Sequence, residues 1–200
     1  MQRRKWGGLC RSLLVLGLSV TALSLYAQPR SGPWTLTIGT GIDYPKKDLG
    51  SIALQTGVTF EARASFRHFN YWSANLAWGW SRFNARQTIS ETAHEFDEAG
   101  LTGGIGFTHG LWNTPFAYRA ALNAVYQNIR SLNSIGDQLD RSPFNWGYQA
   151  DAGLDWRLNT WTISPGIRYH SLYNQIEING TSTSVNLNYI AVSILVSFSF

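Results

Sequence analysis

The sequence predicts an all-β fold, an eight-stranded antiparallel up-and-down transmembrane β-barrel. Three observations predict it. Apolar and polar residues alternate along eight segments of about ten residues, the length that crosses a bilayer at a tilt. The connections alternate between tight turns and long polar stretches. Aromatic residues gather at the segment ends, where rings sit at the level of lipid headgroups.

The first strand is read in "WTLTIGTGIDY", residues 34–44. Trp34, Leu36, Ile38, Ile42 and Tyr44 share one face; Thr35, Thr37, Gly39, Gly41 and Asp43 share the other. Val58 to Phe66 repeats the pattern against Thr59, Glu61, Arg63, Ser65 and Arg67. Trp72, Leu76, Trp78 and Trp80 alternate with Ser73, Asn75, Ala77 and Gly79, and Leu101, Ile105 and Phe107 with Thr102, Gly104, Gly106 and Thr108. Phe116 to Tyr126, Trp146 to Trp156 and Trp161 to Tyr169 supply strands five to seven, and Ile190 to Phe200 the eighth.

Tight turns fall at 68–70, 110–115 and 159–160, and long polar segments at 45–51, 84–97 and 131–143. Asn179-Gly180 is a two-residue hairpin signal, so strands seven and eight are expected to run on as a ribbon over 171–188. Trp34, Trp72, Trp112, Trp156 and Trp161 form a girdle near the tight turns; Tyr44, Trp80, Tyr126, Tyr148 and Tyr169 form one near the long loops. A soluble sandwich or lipocalin-like barrel alternates too, but it would enclose all these rings. Its outer surface would then be Gly, Ser and Thr with few charges.

Residues 1–27 read as a secretory signal peptide: Arg3, Arg4 and Lys5, then a short apolar run to Leu25, then Ala27. The run is too short for a spanning helix. The barrel is therefore assigned to 28–200. The signal carries four basic residues and no acid, which leaves twelve basic against twelve acidic residues in the remainder and removes the basic face that nucleic-acid binding requires. The lone Cys10 falls in the signal, so disulfide and thiolate chemistry are excluded from the barrel.

The inward face collects Asp43, Glu61, Asp151 and Asp155 with Arg63, Arg67, Arg119, Arg157, Arg168 and His170. Buried charges require partners, so a salt-bridged, side-chain-filled lumen is expected. Small inward residues on strands three and four (Ser73, Ala77, Gly79, Gly104, Gly106) face Arg168, His170 and Tyr189 across the barrel. They imply either complementary packing or a small polar cavity.

The alternating strands, and Phe198-Ser199-Phe200 at the end of the last one, resemble the small bacterial outer-membrane barrels: the OmpA transmembrane domain, the OmpX type and the outer-membrane β-barrel proteins of Bacteroidota. The resemblance implies location in the bacterial outer membrane, contact with its lipid and lipopolysaccharide, and a terminal strand whose Phe198 and Phe200 are read by the barrel-assembly machinery. Leu195 departs from the pattern, which often has Gly there. The family's role as structural or surface-interaction proteins is the expected one. The alternatives are a lipid A-modifying enzyme and a narrow porin-like channel. Lipid A deacylases carry a His and a Ser two apart near the end of the penultimate strand. Here His170 and Ser171 are adjacent, and a strand sends them to opposite faces. No catalytic residue, cofactor or metal is therefore assigned, and a monomer is expected. The acidic stretch 91–98 (Glu91, His94, Glu95, Asp97, Glu98) lacks the spacing of a calcium loop and is read as a solvated loop.

Overall fold

The computed structural model describes residues 32–46, 54–85, 95–132, 138–178 and 181–200. The signal segment, Glu91, His94 and the Asn179-Gly180 turn lie outside them. The described residues contain nine strands: β1 (Trp34–Pro45), β2 (Gly57–Arg67), β3 (Trp72–Asn84), β4 (Glu95–Gly110), β5 (Phe116–Leu132), β6 (Gln138–Arg141), β7 (Asn145–Leu158), β8 (Trp161–Ile178) and β9 (Thr181–Ser199). Eight of them pair antiparallel in a closed ring: each strand with the next, β5 with β7, and β9 with β1. β6 is a four-residue strand that continues the line of β7 and pairs with the top of β5, Arg130 opposite Arg141. Its four residues, QLDR, show no apolar alternation, which is why the sequence reading missed it.

Closure follows from the backbone's need for partners. The β1–β9 seam runs without a break from Thr35 opposite Ser199 to Pro45 opposite Tyr189, and Trp34 and Phe200 exchange backbone hydrogen bonds below it. One ladder is interrupted. β7 and β8 pair from Gly147–Leu172 to Gly153–Gly166 and resume at Trp156–Ile163. Pro165 stands in the gap. It has no N–H to donate, while its other neighbour, β9, remains paired at Ile194.

Side chains alternate as the period of two requires. Leu36, Ile38, Ile42, Val58, Leu76, Leu101, Leu122, Leu154, Ile167, Val192 and Ile194 point outward and are exposed. Thr37, Asp43, Glu61, Arg63, Asn123, Gln149, Asp151, Ser164 and Arg168 point inward and are buried. This molecule has its apolar surface outside and its polar groups inside, the reverse of a soluble protein. An unbroken apolar wall of this extent is the surface of a protein whose solvent is lipid.

Two readings of connection lengths change. The segment 84–97 is shorter than expected, because β4 already begins at Glu95; β5 likewise runs on to Leu132. Both extensions build the long-loop end of the barrel. There an apolar cap fills the lumen: Leu54, Phe83, Phe96, Val125, Ile129, Leu172 and Leu187 pack around Tyr189, whose ring lies 5.3 Å from that of Phe83. Phe83→Ala removes the bulkiest fully buried side chain of the cap. It is expected to lower unfolding stability by about 3–5 kcal/mol, measured as a shift in the urea midpoint of the micelle-folded protein.

Candidate functional site

The candidate site is the lumen. Its inward groups do not form one network, as the sequence suggested, but three groups stacked along the axis.

The middle group is a four-membered ion cluster. Arg168 on β8 donates Nη2–H to Glu61 on β2 at 2.6 Å and Nε–H to Asp151 on β7 at 2.8 Å. Arg63 Nη2 lies 2.8 Å from Glu61 and 3.5 Å from Asp151. Asn123 and Gln149 donate amide N–H groups to the same Asp151 oxygen at 3.0 and 2.9 Å. All four charged side chains are almost fully buried. Two arginines thus face two carboxylates across the full width of the barrel, which is the pairing that buried charges require. Gly39 and Leu195 share this region. A Cβ at Gly39 would collide with Leu195 Cδ2, and the two are register partners. Leu195 therefore occupies the space left by a glycine on the facing strand, which accounts for its departure from the family pattern.

Above it, toward the long-loop end, sit Asp43, Glu98, His170, Ser81 and Tyr189. His170 is 1 % exposed; its Nε2 lies 2.7 Å from Glu98 Oε1, and its ring stacks on Tyr189 at 4.5 Å. Ser81 Oγ donates to Thr59 Oγ1 at 3.0 Å and lies 3.4 Å from the Tyr189 hydroxyl. Asp43 is fully buried and has no salt-bridge partner among the described residues, so it lies outside the arginine network to which the sequence reading assigned it. Glu98 was read as a loop residue. It is 1 % exposed and points into the lumen from β4. Continuing the strand-four alternation upstream through Gly100, Glu98 and Phe96 would have found it. Asp97 points the other way, and its carboxylate accepts two hydrogen bonds from Arg82 on the outer face, at 2.7 and 2.8 Å; Glu95 lies 3.1 Å from the same guanidinium. The acidic stretch is therefore split between the two faces of a strand. The described residues contain no cluster that could hold a metal ion.

Below the central cluster, toward the short turns, Arg119 Nε donates to Asp155 at 3.2 Å. Arg67 and Arg157 are exposed at this rim without an ion-pair partner among the described residues, so both fall outside the network assigned from sequence. A cavity of about 230 Å³ opens here. The small inward residues of strands three and four resolve into both of the readings left open. Ser73 and Gly106 line this cavity, whereas a Cβ at Gly79 would lie 3.3 Å from the Gln127 amide, a packed contact.

His170 and Ser171 alternate as expected, His170 inward on β8 and Ser171 outward. The rim aromatics pair across strands: Trp34 with Phe66 at 4.9 Å, Trp72 with Phe107 at 5.1 Å, Trp161 with Phe198 at 5.1 Å and Phe116 with Trp156 at 6.5 Å. Trp112 does not join them. It sits in the 111–115 turn with φ 46° and is 93 % exposed, beyond the end of the wall. Phe198 faces outward beside Trp161, and the Phe200 ring lies 6.0 Å from that of Phe198.

No protein-family model and no curated protein matches the chain. Among solved structures it is similar to Neisserial surface protein A, with a TM-score of 0.59 at 13 % identity, covering 84 % of this chain and 96 % of that one. It is also similar to the outer membrane protein OprG from Pseudomonas aeruginosa, with a TM-score of 0.57 at 10 % identity, covering 86 % and 98 %. The chain has the fold of the small eight-stranded outer-membrane β-barrels.

Proposed function

We propose that the protein resides in the bacterial outer membrane, with its short turns toward the periplasm and its long loops outside, and acts there as a structural or surface-interaction protein rather than as a channel or an enzyme. The observation that carries this reading is the filled lumen. An ion cluster spans its middle, and an apolar cap of Phe83, Phe96, Leu172 and Leu187 fills its outer end. A conducting pore needs a continuous wet path, and this one is blocked twice.

The outer end also offers a contact surface. β8 pairs with β7 as far as Leu172 and β9 with β1 as far as Tyr189, with one further backbone bond from Lys46 N–H to the Asn188 carbonyl. Beyond these points, among the described residues, the two strands form a ladder with each other up to Ile178 opposite Thr181. Their outer backbone edges suit an extended partner segment that adds a strand. Two such edges, held by a rigid wall below, support an adhesive or docking role.

Membrane fractionation is expected to place the protein with outer-membrane lipid, and unboiled samples to migrate differently from boiled ones in gels. A soluble periplasmic protein of unchanged mobility would overturn the reading. In planar bilayers no stable large-pore current is expected; such a current would show that the lumen is open. Arg168→Met leaves Glu61 and Asp151 to share the single charge of Arg63, and is expected to destabilise the barrel by about 3–5 kcal/mol in urea titrations. With Glu61→Gln added, the loss should be smaller than the sum of the single losses, because the two charges are in contact. Incubation with lipid A is expected to release no acyl chains. Release that disappears in His170→Ala would instead assign the enzyme reading.

A further inference from the structure

We propose that the mouth at the short-turn end of the barrel is a binding site for a small phosphate-bearing anion, held by Arg67 and Arg157 at the rim and by Arg119 beneath them.

The lumen as a whole is nearly balanced in charge, but the charge is segregated along the axis. In the upper two groups Asp43, Glu61, Glu98 and Asp151 meet Arg63, Arg168 and His170. In the lowest group Arg67, Arg119 and Arg157 meet only Asp155. Arg63 also lines the cavity, but its charge is matched by Glu61 and Asp151. The uncompensated positive charge is thus concentrated around the cavity at this mouth.

Arg119 is held ready. Gly153 and Gly166 are register partners on β7 and β8, and the guanidinium lies against both: a Cβ on Gly153 would come within 2.9 Å of Nη2, and one on Gly166 within 3.2 Å. The glycine pair makes the slot in which the planar group rests. Its Nε is bonded to Asp155, while its Nη1 is buried with no hydrogen-bond partner among the described residues. A fixed guanidinium lining a cavity, under two rim arginines, is an arrangement that binds an oxyanion.

The remaining lining favours phosphate. Hydroxyls come from all round the ring, with Thr35 on β1, Ser65 on β2, Thr108 on β4 and Thr162 on β8. Donors arriving from several directions suit a tetrahedral anion better than a planar carboxylate. At about 230 Å³ the cavity has room for a phosphate with a small organic substituent.

The site itself does not depend on the orientation proposed above; only its exposure to the periplasm rests on that reading. The test uses the full barrel folded in maltoside micelles, which carry no phosphate, with folding verified by heat-shifted mobility. Calorimetric titration with inorganic phosphate and with glycerol 3-phosphate should give saturable binding. Arg67→Gln/Arg157→Gln, at exposed rim positions, should weaken it at least tenfold, whereas Arg82→Gln on the outer wall should leave it unchanged. Asp155→Asn should tighten it. Phosphatidylglycerol doped into the micelles separates the possible sources: competition with inorganic phosphate identifies a lipid headgroup as an occupant, and its absence identifies a soluble phosphate. Folded wild-type protein that shows no saturable binding would overturn the proposal. So would binding that survives the double rim substitution, or that falls equally in Arg82→Gln.

Discussion

Everything in this molecule depends on the hydrogen-bonded seam between β1 and β9. An open sheet in lipid would leave two strand edges of N–H and C=O groups without partners, each costing several kcal/mol. Eleven consecutive residue pairs, from Thr35–Ser199 to Pro45–Tyr189, remove those edges. Once the ring is closed its bore is fixed, and with it how much side chain the inside must hold. The alternation then sends every second residue into that space and every other one into lipid.

Filling a fixed bore without voids explains the pairing of very large with very small residues. Leu195 stands over Gly39, the Arg119 guanidinium over Gly153 and Gly166, and Gln127 against Gly79. Charge obeys the same economy of space. The central cluster is compact because Arg168 and Arg63 reach Glu61 and Asp151 from three strands, β8, β2 and β7. Apolar rings then fill the upper bore, whereas the lower bore keeps its hydroxyls and arginines and is left unfilled.

The architecture was legible in the sequence because alternation, turn length and aromatic placement all express one periodicity, and local pattern suffices to read it. The axial arrangement was not. Alternation reports which face a residue takes but not what lies opposite it across the barrel. Asp43 and Arg168 therefore looked equivalent, although one has no ion-pair partner among the described residues and the other joins two carboxylates. Glu98 was missed for a different reason. An acidic stretch reads as a loop, although the alternation runs on through it, as the continued ladder from Ser81–Glu98 to Asn84–Glu95 shows. Gly153 and Gly166 give no signal at all in a one-dimensional reading, since their role is to leave room for a side chain on another strand.

The interrupted ladder at Pro165 has a mechanical meaning. The β1–β9 seam is continuous, whereas the β7–β8 ladder is unpaired between Gly153 and Trp156. Local breathing of the wall would therefore start at that gap rather than at the seam. Amide hydrogens flanking that gap would be the earliest in the wall to exchange with solvent.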